Sequence, residues 1–468
     1  MQTAEATPGV AVAPLLAVQD APSMGKRRPG TTTVGVVGMT INLVTGGLGS
    51  GILTLAWGMA GASIVVGVLL ILLVVALNAC TVMILVHASE THKKFDLGAL
   101  LALLPGRWLG PISQGACNAL VWVTLWMTLL GYLIVVQDSM SSLFPADSWL
   151  AGRSVWALLG SLVALGLSLV DLGLLSRTSS PLGVAVNCYL FGLLCADLGA
   201  SGRSPEALCF MARLDPPPRG VISFLSLVSM TIIIQMCILP MYEHLEDRSP
   251  QRFRWALGAS FSILFVLYAA FATVAYLRFG PTVPANVLKD LGDAGWGDAA
   301  RVGMSIVVLC VYPLMVKPMV APVEQLIARR YAESGRAGRE EDGDQGGGEV
   351  IGDLGGGRRD VGCSAVLAKA AAKLAAVGIA ASTMVCAFFV SDLGVINVIA
   401  GTVSIGGFVA LSPGLVGLCL SDPPQRHEVC WRVTMHALIW GGLSLSLVGL
   451  FFRDNYAASL AEACLWKL

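Results

Sequence analysis

The sequence predicts an all-helical protein that crosses a membrane about eleven times. Hydrophobic residues make up 55% of the 468 residues, only 13% are charged, and the mean hydropathy is +0.75. Because soluble proteins carry about 25% charged residues, this composition disfavours a soluble enzyme, a disordered scaffold and a secreted disulfide framework. The apolar residues form long continuous runs, whereas a membrane β-barrel would show short segments of alternating polarity.

Eleven runs, called spans 1 to 11 below, lack charge for long enough to cross a bilayer, or nearly so. They are 32–60, 61–86, 113–137, 154–170, 178–196, 220–242, 255–277, 302–323, 374–391, 393–421 and 433–452. Residues 1–31 and 453–468 are predicted to be tails, the first of them disordered. The loop 328–363 is rich in Gly and charge, so we expect it to be disordered as well.

Loop charges predict the orientation and the partners. With the N terminus in the cytoplasm, the loops on that side hold about twice as many Lys and Arg residues as the loops opposite, as the positive-inside bias requires. The membrane is expected to be the plasma membrane, a vacuolar membrane or another endomembrane. The 30 basic and 30 acidic residues cancel, so nucleic acid has no electrostatic reason to bind. The lipid bilayer and a small solute are the expected partners.

Span 1 contains a cluster of glycines that predicts an interruption. In "NLVTGGLGSGIL" (42–53), four Gly and one Ser lie between Gly46 and Gly51. Each Gly weakens a helix interior by about 1 kcal/mol relative to Ala, so we expect the helix to unwind near the bilayer midplane. Unwound backbone is tolerated there only where it is buried in protein or lines a cavity. The alternative is close helix packing, because Gly47 and Gly51 have Gly-x-x-x-Gly spacing.

Span 6 is predicted to break as well. Pro240, in "SMTIIIQMCILPMYEHL" (229–245), removes a backbone donor and frees the carbonyl of Met236, next to Gln235. Both breaks lie about two-thirds of the way along their runs, and the two runs enter the membrane from opposite faces. Interrupted spans at matching positions indicate a five-plus-five inverted repeat with a transporter site at the interruptions.

The predicted break in span 1 offers two electrostatic poles. A half-helix beginning near Ile52 would present unpaired N–H groups, which attract a carboxylate. The preceding half-helix, ending near Thr45, would present carbonyls, which suit an ammonium group or a small cation. Together they match an α-amino acid zwitterion. The N–H groups are those of Leu48, Gly49, Ser50 and Gly51, and the whole candidate site comprises Thr45, Gly46, Gly47, Leu48, Gly49, Ser50, Gly51, Gln235 and Cys237.

At these residues the chain resembles the amino acid/auxin permease family. Six stretches match family motifs in the correct order: "NLVTGGLGSGIL", "GYLIVVQD" (131–138), "QMCILPMYEHL" (235–245), "YLRFGPTVPANVL" (276–288), "YPLMVKP" (312–318) and "SDLGVINVIAGTVSIGGFVALSPGLVGL" (391–418). The likeness covers roughly 32–452 apart from the loop 328–363. It implies a LeuT-like fold of eleven helices with broken helices 1 and 6, and transport of amino acids by alternating access.

The resemblance also bears on the coupling ion. Sodium-coupled members commonly place an Asn at the position of Thr45, and a Thr just before the Pro that matches Pro313. Here the second stretch reads "VVLCVYP", without Thr, and Ser305 is the nearest hydroxyl. Asn42, Thr45 and Ser305 remain as candidate ion ligands. Since sodium needs several hard oxygen ligands, we expect proton coupling, with sodium coupling or uncoupled carriage as alternatives.

The expected function is that of a secondary active transporter, with 32–452 as its transmembrane domain. Small neutral amino acids are the expected substrates, because the predicted pocket holds no charged side chain. The alternative is an amino acid sensor that has the same fold. The short tails argue against this alternative. The sequence contains no P-loop, Ser-His-Asp pattern or HExxH motif. An enzyme, a resident metal and an organic cofactor are therefore not expected.

Overall fold

The computed structural model describes residues 33–168, 172–210, 216–292, 295–343, 356–422 and 428–452. Within these ranges, the side chains of 172–178, 208–210, 324–326, 328–343, 356–366 and 368–369 are not described. The tails predicted at 1–31 and 453–468 lie outside the described residues.

Eleven helical segments, each at the position of a predicted span, account for most of the described chain. They are α1 (Val36–Gly47 and Ser50–Ala62), α2 (Ile64–His92), α3 (Leu109–Ser141), α4 (Arg153–Ser168), α5 (Leu172–Ser201), α6 (Pro218–Thr231 and Gln235–Glu243), α7 (Pro250–Phe279), α8 (Gly295–Gly343), α9 (Gly356–Phe389), α10 (Leu393–Cys419) and α11 (Val429–Gly449). In the described ranges, β-structure is limited to one bridge between Val34 and Leu245.

The helices have the length and composition of membrane spans. Eight in the described part of the chain are long and apolar enough to cross a bilayer, and the bent pair of α1 makes nine. The apolar helix α4 is shorter, and α11 covers the last predicted span. Large apolar side chains are exposed on the outer faces, among them Leu69, Leu73, Leu162, Val433 and Trp440. The predicted fold class, an all-helical polytopic membrane protein, is confirmed.

The break in α1 lies where the glycines predicted it. The first half ends at Gly47, the second begins at Ser50, and their axes differ by 48°. The break in α6 is one turn earlier than predicted, because the chain leaves the helix at Ile232–Ile234 and Pro240 lies inside the second half. Three successive β-branched residues weaken the helix there.

The end of α8 also differs from expectation. The backbone helix continues through Gly343 and α9 begins at Gly356. Much of the predicted disordered loop 328–363 is therefore helical, and only 344–355 lies outside the described residues. The Arg and Glu residues that make this segment polar are, like its Ala residues, good helix formers, which is why polarity alone misplaced the boundary.

The helices pack in two groups of four. Helices α1, α2, α6 and α7 contact one another, and so do α3, α4, α8 and α9. Helices α5 and α10 contact both groups, and α11 packs on α10. The first two helices of each five-helix half thus share one group and the next two share the other, which agrees with the predicted five-plus-five repeat. The groups meet beside the α1 break.

Candidate functional site

A cavity lies beside the α1 break. Its empty volume is about 630 Å³, a figure that includes the open mouth. The walls carry a few hydroxyl groups but no charged side chain. The lining residues are Thr45, Gly46, Leu48, Gly49 and Ser50 of α1, Tyr132 of α3, Ser179, Ser180 and Gly183 of α5, and Val307, Val308, Val311, Leu314 and Met315 of α8.

Two of the four N–H groups predicted to face the cavity are already engaged. The Leu48 N–H donates to the Val44 carbonyl and the Gly49 N–H donates to the Gly47 carbonyl, both at 3.0 Å. Both amides therefore bond to carbonyls of the last turn of the first half-helix. The amides of Ser50 and Gly51 start the second half, where no earlier turn accepts their protons.

The glycines of the break differ in their surroundings. A Cβ atom on Gly47 would lie 2.7 Å from Leu264 Cδ1, and one on Gly51 would lie 2.9 Å from Thr231 Oγ1. These two glycines allow close packing of α1 on α7 and α6, as the Gly-x-x-x-Gly spacing indicated. A Cβ on Gly49 would meet no atom within 4 Å. Gly49 is therefore the glycine that keeps space open in the cavity.

The candidate residues of α6 lie outside the cavity lining. Gln235 is fully buried and donates its Nε2 proton to Asn78 Oδ1 on α2. The backbone N–H of Cys237 donates to the Ile234 carbonyl at 2.9 Å. Because α6 breaks at Ile232–Ile234, just before Gln235, this residue begins the second half of α6 and pairs with α2. The structure therefore does not bring Gln235 and Cys237 into the cavity lining, and their place at a binding site stays a prediction.

The three candidate ion ligands do not meet at the cavity. Thr45 lines it, and its hydroxyl donates to the Ile41 carbonyl at 2.8 Å. Ser305 is buried outside the lining, and its hydroxyl donates to the Arg301 carbonyl at 2.8 Å. Asn42 is buried and also outside the lining. Among the described residues, no three His, Cys, Asp or Glu side chains are grouped as metal ligands.

Tyr132 is a lining residue that sequence reasoning missed. Its side chain is 6% exposed, and within the described part of the chain its hydroxyl has no hydrogen-bond partner. Buried tyrosine hydroxyls usually find one, so this group is available to a ligand. The signal for it is a single Tyr in the otherwise aliphatic stretch "GYLIVVQD" (131–138).

Tyr268 of α7 was also missed, and it joins the two broken helices. Its hydroxyl donates to the Gly47 carbonyl, where the first half of α1 ends. The same hydroxyl lies 3.2 Å from the Thr231 carbonyl, where the first half of α6 ends. The side chain is fully buried. A Tyr inside an apolar run carries no sign of these contacts, which arise only when three helices meet.

One end of the helix bundle is tied together by a network around Glu90, at the end of α2. The Glu90 carboxylate accepts protons from the Tyr242 hydroxyl and the Arg248 Nε, both at 3.0 Å, and it also pairs with Lys93. The Arg248 guanidinium lies 4.1 Å from the centre of the Phe95 ring. These contacts connect the ends of α2 and α6.

Beside this network, the start of α1 is held by backbone pairing. The Val34 N–H donates to the His244 carbonyl at 2.9 Å, and the Glu246 N–H donates to the Val34 carbonyl at 3.0 Å. The chain just before α1 is therefore fixed to the chain just after α6. Both broken helices are connected at this end as well as at their breaks.

The opposite end carries a cluster of charged residues around Asp138, at the end of α3. Asp138 is 2% exposed and pairs with Arg153 at 2.8 Å and Lys289 at 3.1 Å. Lys289 belongs to a short helix, Val287–Lys289, that contacts the second half of α1 at Ser50–Thr54.

The buried Arg301 fixes the segment that carries Lys289. Its guanidinium donates to the Leu288 carbonyl at 3.1 Å, to the Leu291 carbonyl and to Asp298 at 2.7 Å. Burial raises the pKa of the nearby Asp290 carboxyl, an effect that Lys289 and Arg278 oppose. This segment covers the Asp138 end of the α1 break, while the cavity extends the other way, towards Ser179 and Ser180 near the start of α5.

The sequence is similar to known proteins along most of its length. The family model described as "Transmembrane amino acid transporter protein" matches residues 32–452. Amino acid transporter AVT6E of Arabidopsis thaliana is 26% identical over 307 residues, which are 60% of this chain and 61% of that protein. Vacuolar amino acid transporter 7 of Saccharomyces cerevisiae is 23% identical over 320 residues, 66% of this chain and 63% of that protein.

A second protein of the same yeast, Vacuolar amino acid transporter 6, is 22% identical over 295 residues, 61% of this chain and 64% of its own length. The chain thus spans a little over six tenths of each of these relatives. All three are named as transporters, a class distinct from enzymes.

Solved structures also resemble the chain. MhsT in complex with L-phenylalanine has a TM-score of 0.49 and 15% identity, covering 89% of this chain and 98% of MhsT. A Na⁺-coupled sialic acid symporter has a TM-score of 0.44 and 9% identity, covering 90% of this chain and 91% of the symporter.

Proposed function

Because this chain belongs to the transmembrane amino acid transporter family, whose model matches residues 32–452, we propose that it carries small neutral amino acids across a membrane by alternating access. The observation that carries the proposal is the uncharged cavity at the α1 break, bordered by both ends of an interrupted helix. Two relatives are named as vacuolar transporters, so a vacuolar membrane is the first proposed location. The plasma membrane and other endomembranes are alternatives, with the N terminus in the cytoplasm.

The main chain of α1 supplies the two poles of the proposed site. The amides of Ser50 and Gly51, at the positive end of the second half, are the proposed donors to the substrate carboxylate. The Tyr132 hydroxyl is a further donor. The carbonyls of Thr45 and Gly46, at the negative end of the first half, have no donor in their own helix and would accept the ammonium protons.

The remaining walls define the proposed side-chain pocket. Helix α8 contributes only apolar side chains to the lining, from Val307 to Met315. A charged substrate side chain would lose its hydration there without gaining a partner. Neutral amino acids are therefore preferred, and the space beside Gly49 sets how large the ligand can be.

Alternating access requires the two ends of the bundle to open in turn. In the described conformation Asp138 pairs with Arg153 and Lys289 at one end of the bundle, which is the end we propose to be closed. The cavity extends towards the start of α5, at the end where Glu90 lies. Transport in this scheme requires the Asp138–Lys289 pair to separate while the contacts around the start of α5 close.

Uptake by the purified protein in liposomes tests the proposal. We expect labelled alanine, serine and leucine to accumulate, and glutamate and lysine to be excluded. A proton gradient is expected to accelerate uptake, and a sodium gradient is not. Uptake that ignores both gradients would show an uncoupled carrier, and a sodium-driven uptake would show sodium coupling. Saturable binding without flux would instead establish a sensor and reject transport.

A further inference from the structure

One hydroxyl lies between the two interrupted helices. Tyr268 donates to the Gly47 carbonyl, and its oxygen is 3.2 Å from the Thr231 carbonyl. These carbonyls mark the ends of the first halves of α1 and α6. A phenol has one proton, so the two carbonyls share it.

The place where these carbonyls meet favours a positive partner, even though the Gly47 carbonyl also accepts the Gly49 N–H proton. Each helix end carries about −0.5 elementary charge, and both ends lie in buried surroundings, since Tyr268 is fully buried and Thr231 nearly so. Either a cation or a proton donor can satisfy such a pair. A cation in contact with both carbonyl oxygens would occupy the position that the hydroxyl oxygen holds.

We propose that Tyr268 takes the place of a bridging cation and positions the two breaks as one unit. The breaks of α1 and α6 then move together whenever the cavity changes its accessibility. This inference rests on the proposed function in one respect, the position of a coupling ion. A sodium ion that drives transport would have to bind somewhere other than this junction.

Tyr268→Phe provides the first test, with Tyr276→Phe as its matched control. Tyr276 lies on the same helix and is fully buried, and its hydroxyl has no hydrogen-bond partner among the described residues. Melting temperatures of the full chain are measured with sodium and with N-methyl-D-glucamine as the only cation. Without sodium, we expect Tyr268→Phe to melt about 2–6 °C below the wild type.

Sodium rescue is tested with Tyr268→Ala against Tyr276→Ala, because in Tyr268→Phe the ring Cζ–H would point at the position that a cation needs. Sodium should raise the melting temperature of Tyr268→Ala more than that of Tyr276→Ala or the wild type. The proposal is overturned when Tyr268→Ala gains no more from sodium than Tyr276→Ala does, or when Tyr268→Phe melts like Tyr276→Phe in the absence of sodium.

Hydrogen exchange of the wild type gives a second test that needs no variant. Peptides covering 44–53 and 228–237 should exchange at the same rate with and without sodium. Sodium-dependent protection of both peptides would reveal a cation between the breaks and refute the proposal. Neither measurement uses transport, so a failure of the proposed function and a failure of this inference give different results.

Discussion

Gly49 and its neighbours in α1 show how one residue type has different roles within six positions. Gly47 and Gly51 are pressed against Leu264 and Thr231, whereas Gly49 adjoins open space. The backbone of Gly49 is extended, with φ −98° and ψ −173°, a conformation that any residue adopts. A larger side chain at Gly49 would therefore fill the cavity without straining the fold.

Gly49→Val should lower the initial rate of alanine uptake at least about tenfold, a loss equivalent to about 1.4 kcal/mol, because the added carbons occupy the substrate volume. Uptake is measured in liposomes that hold equal amounts of protein. Gly258→Val is the control, because Gly258 of α7 is exposed and a Cβ there also meets no atom within 4 Å. Near-normal uptake by Gly49→Val would argue against a main-chain site at this break.

Tyr132→Phe should raise the KM for alanine about tenfold or more while changing turnover less, since a hydrogen bond to a charged group contributes about 1.5–3 kcal/mol. The measurement is the concentration dependence of uptake. Tyr312→Phe serves as control, because that buried hydroxyl bonds to Thr383 and lies outside the cavity lining. An unchanged KM in Tyr132→Phe would remove this hydroxyl from the site.

At the level of whole helices, close backbone contact positions the elements that carry the site. Gly401 of α10 faces the Ser226 carbonyl of α6, and a Cβ atom there would overlap that backbone. The Thr402 hydroxyl also bonds to the Ser226 hydroxyl at 3.0 Å. The first half of α6 is thus fixed to α10, a helix that contacts both groups of the bundle.

Overpacking of a core side chain ordinarily costs about 1–3 kcal/mol. Gly401→Ala is expected to destabilise the protein by more than this, because the atom it would overlap belongs to the backbone, which cannot move aside as a side chain does. The melting temperature should fall by several degrees with or without alanine present. Gly378→Ala in α9 is the control, since nothing lies within 4 Å of its Cβ position. Equal melting temperatures for the two variants would contradict the close approach.

The breaks show what sequence alone predicts at the level of helices. The α1 break was predictable because clustered glycines act locally, on the helix that contains them. The α6 break was misplaced because Pro240 constrains only its own turn, while Ile232–Ile234 and the contact from Tyr268 decide where the helix ends.

The candidate site, like the breaks, could be predicted from the sequence only in part. Its α1 residues follow from the glycine motif, whereas Tyr132, Ser179 and the α8 wall reach the cavity only through the packing of four helices. Apolar runs predict that a helix exists, but they do not specify which of its faces meets a cavity, and Gln235 lies outside the lining of this one.

Across the whole molecule, the two ends are held by different kinds of contact. The Glu90 network joins α2 to the end of α6 within one group of helices. The Asp138 cluster joins α3 and α4, of the other group, to the segment that covers α1. Of these two pairs, only Asp138–Lys289 connects the second group to the segment that covers α1, so opening of the Asp138 end must separate that pair.

Lys289→Met should make the cavity more accessible from the Asp138 end. Lys289 is 39% exposed in its side chain, so its ion pair contributes about 0–1 kcal/mol, and we expect a twofold to fivefold increase in accessibility. The readout is the rate at which a membrane-impermeant thiol reagent labels Ser50→Cys, added from that end. Lys317→Met, on α8 and outside the Asp138 cluster, is the control. A labelling rate that Lys289→Met leaves unchanged would show that this pair does not limit opening.

The poles of the proposed site are peptide groups, and every amino acid residue contributes the same peptide group. Point mutations in the walls can therefore alter which ligand side chain is accepted without erasing recognition of the zwitterion. The α8 wall, from Val307 to Met315, is free to diverge between paralogues or to be redesigned in the laboratory. A single scaffold of this kind can acquire new substrate preferences through few substitutions. Each intermediate variant would still bind the amino and carboxyl groups of the ligand.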